Sequence, residues 1–410
     1  MPQPDNLARI FRARYGQLIA ALVAKCGDIQ LAEDALQHAF LQASEKWAGD
    51  EAPNKPEAWL FSVAKRHLID KLRQSSRQSA EHTLIAISES MQLDQAVSEG
   101  AQAIPDERLK LIFTCCHPAL KPQAQVALTL KTLCGISARE IARAYLVSET
   151  TMNQRLVRAK QKIRKAGIAY EVPQGEALND RLASVLAVIY LIYNESYSAF
   201  EGQTLTRKDL AEEAIRLARV LHRMLPATEV SGLLALMLLH QSRQPARSND
   251  TQSFVTLEQQ NRALWDQHKI SEGRTVLLSA LAQGKPGKYQ LQAAISALHS
   301  EADSWLKTDW QQITLLYRAL YKAEPSPIVK LNGLVAMAQS GREQEALEQI
   351  KALSDQLAEY QPFYAAKAEL ENRLSLTAEA KLSYRQAIQR TKNQAEKKFL
   401  EERLANITEC

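Results

Sequence analysis

Residues 137–165 read SAREIARAYLVSETTMNQRLVRAKQKIRK. Ser137 and Glu140 have the spacing of a capping box, which starts a helix by satisfying orphan N–H groups at both ends of the motif. Ile141, Ala142 and Tyr145 give that helix an apolar side, and Leu146-Val147 makes the turn. Ser148 caps a second helix, in which Met152, Leu156, Ala159 and Ile163 recur at helical spacing as a buried stripe. The small Ala142 lets the two helices approach closely. The opposite face of the second helix carries Thr150, Thr151, Asn153, Gln154, Arg155 and Arg158, which are donors to base edges and phosphates. From Met152 to Lys165 there are six Lys/Arg and no acid. A solvated basic face gives such a charge run by itself. Cap, turn, small residue and basic second helix together instead predict a helix-turn-helix that lays its second helix in the major groove.

Working outward, Tyr170 to Gly175 breaks helicity, and residues 78–107 hold six acids with no Lys or Arg. The acidic stretch reads as a linker. In front of it, residues 28–47 (DIQLAEDALQHAFLQASEKW) open with Asp28 as a good N-cap. Ala32, Ala35, Leu36, Ala39, Phe40, Ala43 and Trp47 form one apolar stripe. Glu33, Asp34, Gln37, His38 and Leu41 lie on the other face, where an ordinary solvated surface is the simplest reading. A loop with two prolines, Gly49 to Pro56, precedes a helix over 57–73. There Trp59, Leu60, Val63, Leu68 and Leu72 turn inward, and Lys65, Arg66, Lys71 and Arg73 make a basic side. Behind the break the chain reads as a long helical array. Residues 331–347 align weakly with residues 365–381 at an offset of 34, the tetratricopeptide period; a plain helical bundle fits nearly as well.

Composition agrees with an all-α fold. Gly and Pro number 14 each in 410 residues, and hydrophobic residues make up 46%. Ala, Leu, Gln, Glu, Lys and Arg, all good helix formers, dominate. The net charge of +5 is uneven, +6 over residues 1–170 and −1 over the remainder, so the front part suits phosphate and the rear part protein. The longest apolar run, Leu233 to Leu239, is far short of a membrane span. The polar N-terminus lacks a signal-peptide core, which predicts a cytoplasmic protein with no membrane partner. Five cysteines (Cys26, Cys115, Cys116, Cys134 and Cys410) do not make a secreted disulfide framework.

The front motifs carry a family resemblance. An AED-x-x-Q helix (Ala32 to Gln37), a loop, then AWL-x-x-VA-x-x-x-x-x-D-x-x-R (Ala58 to Arg73) resemble region 2 of sigma-70 family factors. The helix-turn-helix after the acidic linker resembles region 4. Regions 1 and 3 are absent, which is the layout of extracytoplasmic-function (ECF) sigma factors. RLKLIFTCCHPAL (Arg108 to Leu120), AYLVSET (Ala144 to Thr150), VIYLIYNESYSAF (Val188 to Phe200) and PGKYQLQAAISALH (Pro286 to His299) are similar to one ECF subgroup with a long, helical, TPR-like C-terminal extension. Two positions depart from the common pattern: His38, where an acid is usual, and His67, where Asn is often found.

The resemblance implies a sigma factor that directs core RNA polymerase to promoters and is not an enzyme. It implies region 2 over 1–77, an acidic linker over 78–104, region 4 over 105–168, a helical extension over 176–284 and a TPR-like domain over 285–410. Carried over, Glu33, Asp34 and Gln37 contact the coiled coil of the polymerase β′ subunit. The loop over residues 46–57 captures a flipped base of the −10 element, which costs a few kcal/mol to extrude. Lys65, Arg66, Lys71 and Arg73 hold the displaced strand. Thr151, Gln154, Arg155 and Arg158 read the −35 element, and Lys160, Lys162 and Arg164 lie near phosphate or the β flap. The extension could hold regions 2 and 4 inactive through an intramolecular contact, or support initiation directly.

Other readings compete. A helix-turn-helix regulator with a TPR-type sensor or adaptor has no use for the region 2 helix pair. An enzyme sited in the rear half needs a dense titratable cluster, and the sequence has none. Cys115, Cys116 and His117 tempt as zinc ligands, but adjacent cysteines point apart on a helix and zinc prefers C-x2-C pairs; packing and a helix end before Pro118 are expected, with no metal and no cofactor. Asn194 and Glu195 read as an inter-helix hydrogen-bond network rather than an acid–base pair. Trp305 and Trp310 read as core anchors.

Overall fold

The computed structural model describes residues 4–47, 53–76, 107–145, 147–197, 206–247, 255–284, 286–391 and 394–407. Every regular element among them is helical: eighteen α-helices and two short 3-10 turns. The expected linker over 78–104 lies outside the described residues, as do residues 48–52 of the proline loop. The chain divides into two compact units, Met1–Ile192 and Tyr193–Cys410.

The first unit opens with α1 (Pro4–Cys26), α2 (Ile29–Lys46) and α3 (Pro56–Ser76), each packed on the other two. Asp28 caps α2, accepting from the N–H of Gln30 at 2.7 Å and of Leu31 at 3.2 Å. The expected stripe is buried at Ala32, Ala35, Leu36, Ala39 and Ala43, with Phe40 and Trp47 half-buried at its edge. In α3, Leu60, Ala64 and Leu68 face the same core.

Next come α4 (Arg108–Cys115), α5 (Pro122–Leu133), α6 (Ala138–Ala144) and α7 (Glu149–Lys165). Both predicted caps form. Ser137 donates its N–H to Glu140 at 2.9 Å while Glu140 donates its own to Ser137 Oγ at 3.2 Å, and Ser148 Oγ accepts from Thr151 N at 3.1 Å. Met152, Leu156, Ala159 and Ile163 are buried against α5 and α6.

The sequence pointed to two small modules joined by a tether, yet α1 packs on α4 and α5 as well as on α2 and α3. Its residues Leu18 to Val23 are buried without a break, and a helix apolar all round needs partners on more than one side. Gly16 makes the approach possible, since a Cβ there would sit 2.4 Å from the Leu133 carbonyl oxygen. The Tyr170 hydroxyl closes the seam by donating to the carbonyls of Ala20 at 2.9 Å and Glu107 at 3.3 Å. Tyr170 lies in the predicted helix break, where its side chain is free to reach across. α8 (Glu176–Tyr197) contributes Arg181, which donates to the Phe113 carbonyl at 2.7 Å near the end of α4.

In the second unit, α9 (Thr206–Met224), α10 (Thr228–Ser242), α11 (Gln267–Leu281) and α12 (Lys288–Glu301) surround one core. The Leu233–Leu239 run of α10 is buried at every position, as a helix stretch apolar on all sides must be. No described helix is long and apolar enough to cross a membrane. Beyond α13 (Trp310–Ala323), two helix pairs repeat: α14 (Pro327–Gln339) with α15 (Glu343–Lys351), and α16 (Gln361–Arg373) with α17 (Thr377–Arg390), before α18 (Gln394–Ala405). Residues 327 and 361 start the first helices and 343 and 377 the second, so both offsets equal the 34 residues read from the sequence. The intervening turns also match: Gly341 and Ser375 both take left-handed backbone, with φ of 89° and 59°. Ala346 and Ala380 occupy equivalent, fully buried positions.

Candidate nucleic-acid interface

The cap and stripe of α7 decide which of its side chains remain outside. Thr150, Thr151, Asn153, Gln154, Arg158, Lys162 and Arg164 are exposed, and Arg155 is partly so. Gln154, Arg155 and Arg158 therefore share an outward face free of acids. Thr151 is also tied into the cap, its hydroxyl 2.8 Å from Ser148 Oγ. Lys162, Lys165 and Arg158 border a shallow basic depression at the end of the helix.

Lys160 turns the other way. Its ammonium lies 2.5 Å from Glu33 Oε2 and 2.9 Å from Gln30 Oε1, both on α2. Glu33 itself is buried, with its other carboxylate oxygen 3.4 Å from Thr132 Oγ1 on α5. Arg164, largely exposed, stands 3.8 Å from Asp28 Oδ2. Of the three expected polymerase contacts, Asp34 and Gln37 are exposed and Glu33 is not. Sequence reasoning placed Glu33 and Lys160 on open faces, although a helical signal was present. Ile29, Glu33 and Leu36 follow one another at spacings of four and three, as do Leu156, Lys160 and Ile163. Each charge thus sits on the edge of its own apolar stripe.

On α3, Arg66, Lys71 and Arg73 are exposed and Lys65 is half-buried. Trp47 and Trp59 meet with ring centroids 5.2 Å apart, at the two ends of the proline loop. The two departures from the family pattern are paired: the His38 and His67 rings stack at 4.1 Å. Burial and the neighbouring His38 hold His67 below its ordinary value. Periodicity alone does not reveal this stack, because it joins positions on two helices.

The remaining candidates have structural partners. Cys115 and Cys116 are buried, and burial pushes Cys116 up to about 12, so these thiols are protonated at neutral pH. His117 Nδ1 accepts from Ala119 N at 3.0 Å and shapes the turn around Pro118. Among the described residues, no group of three His, Cys, Asp or Glu side chains has the arrangement of a metal site. Asn194 is half-buried on α8. Trp305 and Trp310 pack edge to face at 4.4 Å beside His299.

Three family descriptions match the chain: "Sigma-70 region 2" over residues 10–78, "Sigma-70, region 4" over residues 110–163, and "Family of unknown function (DUF6596)" over residues 181–281. An uncharacterized protein of Rhizobium meliloti is 38% identical over 95% of this chain and 93% of its own length. The probable ECF RNA polymerase sigma factor SigI of Mycobacterium tuberculosis is 25% identical, covering 42% of this chain and 59% of its own length. The ECF RNA polymerase sigma factor SigM of Bacillus subtilis is 26% identical over 39% of this chain and 93% of its own length. No solved structure matches. The chain belongs to the ECF group of sigma-70 RNA polymerase sigma factors, with a C-terminal extension. Its partners are core RNA polymerase and promoter DNA.

Proposed function

We propose that this factor reads the −35 element with Thr151, Gln154, Arg155 and Arg158 of α7, leaving Lys162 and Arg164 for phosphate or the β flap. Asp34 and Gln37, joined by Glu33, meet the β′ coiled coil. The loop over 46–57 takes the flipped −10 base, and Lys65, Arg66, Lys71 and Arg73 carry the displaced strand's phosphates. This work takes place in the cytoplasm and involves no catalysis by the chain. The domain limits follow from it: region 2 over 1–77, a linker over 78–104, region 4 over 105–168, then the extension over 176–284 and the TPR-like part over 285–410, which regulate the front.

The observation that carries the reading is the outward face of α7. A capped helix start, a buried stripe and an acid-free outward face at Gln154, Arg155 and Arg158 support it. Run-off transcription with core polymerase and the purified chain tests it. Promoter-specific transcripts are expected, and failure to associate with core polymerase overturns it. Deleting residues 175–410 then gives the sign of the regulation: more transcript means the extension restrains the front, less means it assists.

A further inference from the structure

We propose that the second unit holds an oxyanion site around Arg262, where Trp265 Nε1 and His299 Nδ1 join the guanidinium in receiving the phosphate or carboxylate group of a small ligand. All three residues belong to that unit, so the site stands apart from the −35 and β′ assignments. Arg262 opens the short 3-10 turn ahead of α11. Its Nη1 donates to the carbonyls of His299, at 2.6 Å, and Ala302, and its Nη2 donates to Thr308 Oγ1 at 3.3 Å. These bonds close the end of α12 and fix the guanidinium in place. A guanidinium has five N–H groups, so two of them meet no acceptor among the described residues. Trp265 is 3% exposed, and its ring lies 5.0 Å from the Arg262 guanidinium carbon. His299 is 8% exposed, with Trp305 and Trp310 against its ring. Among the described residues, neither Trp265 Nε1 nor His299 Nδ1 has a hydrogen-bond partner.

Capping of α12 accounts for Arg262 but uses neither ring nitrogen. Buried polar groups ordinarily find partners, so two orphans beside one cation call for a common explanation. Guanidinium and indole N–H groups only donate, and imidazole Nδ1 donates in one tautomer. The group that suits all three is an acceptor with several lone pairs. Charge gives that acceptor its sign. Burial holds Arg262 below its ordinary value in spite of Asp303, which is exposed and 3.0 Å from Lys307. Arg243 stands 6.0 Å from the same Trp265 ring. Burial, then Arg243 and Arg262, hold His299 low, and burial, then Arg243 and Arg247, hold His240 low. Both imidazoles are therefore neutral in a positive surrounding. Water satisfies an N–H but leaves the charge; an oxyanion answers both through charge-assisted bonds. Arg262 is only half-buried, which gives the ligand its way in.

Equilibrium dialysis of the full chain against inorganic phosphate and against oxalate tests the site, in three forms: unaltered, Arg262→Gln and Trp265→Phe. Saturable binding of one anion per unaltered chain is expected, weakened at least about tenfold by Arg262→Gln and about fivefold by Trp265→Phe, as loss of a charged and of a neutral hydrogen bond requires. Phosphate bound in preference to oxalate assigns the ligand a phosphoryl group, and the reverse assigns it a carboxylate. In the unaltered chain with carbon-13 histidine, the His299 ring signal, identified by its loss in His299→Gln, should move as the anion saturates at neutral pH. That measurement decides the matter if neither variant folds. No saturable binding of either anion, equal binding by the folded variants, or a His299 signal that stays in place at saturation overturns the site.

Discussion

Gly16→Ala changes one hydrogen to a methyl, and the sign of its effect reveals whether α1 and α5 touch in solution. On a helix that is free on that side, the substitution stabilises by about 1 kcal/mol, the difference in helix propensity between Gly and Ala. In the packed unit the new Cβ falls 2.4 Å from the Leu133 carbonyl oxygen and 3.3 Å from its carbon. The obstacle is backbone, so no side-chain rotation relieves it, and α1 or α5 must retreat by roughly 1 Å. Overpacking of this kind costs about 1–3 kcal/mol, enough to cancel the propensity gain or exceed it. Hydrogen-exchange mass spectrometry of the full chain resolves the outcome locally. Amides of residues 15–23 and 126–134 are expected to exchange up to about tenfold faster in the variant, tenfold being about 1.4 kcal/mol. Slower exchange in both segments means the methyl meets no neighbour, and refutes the shared core.

Three further expectations accompany it. Ser375→Gly relieves the left-handed backbone (φ 59°) of an exposed residue and should stabilise the second unit by about 0.5–1 kcal/mol; the reverse change at its repeat counterpart, Gly341→Ala, should cost about as much, and urea midpoints that move the opposite way refute the strain argument. His299 is held at about 3 by burial and by Arg243 and Arg262, against about 6.5 in the unfolded chain. Between those values the unfolded chain binds a proton that the folded one refuses, so stability falls on acidification, by up to about 1.4 kcal/mol per pH unit below pH 6.5. Urea midpoints at pH 7.5 and 5.5 should show the drop, and His299→Gln should lessen it without abolishing it, because burial also holds His240 well below its ordinary value. Arg155→Ala and Arg158→Ala should each weaken promoter binding by about 1–3 kcal/mol with melting temperature unchanged, since both reach solvent; unchanged promoter occupancy removes them from the reading face.

Legibility followed the range of the interactions. The Ser137–Glu140 box, the Ser148 and Asp28 caps and the α7 stripe are contacts within a few residues, so spacing alone exposes them. The 34-residue period is legible in the sequence because Ala346 and Ala380 fill the same fully buried position in successive helix pairs. Glu33 and Lys160 are 127 residues apart, and no local pattern links them. Their chemistry fits water and a buried pair equally well; only the tertiary packing chooses. The joining of α1 to α5 was hidden for a related reason: Gly16 looks like a helix weakness until Leu133 is placed beside it. His38 and His67 were noticed only as departures, and their stacking gives each the other as its explanation.

The 34-residue spacing of helix pairs near the C-terminus has an evolutionary side. A unit whose successive copies meet through like surfaces can be duplicated or lost whole, with the chain re-entering register at the next pair. The rear of this molecule can therefore vary in length by whole units while selection on promoter choice acts elsewhere, and relatives that differ by one such unit should preserve the phase of their turns.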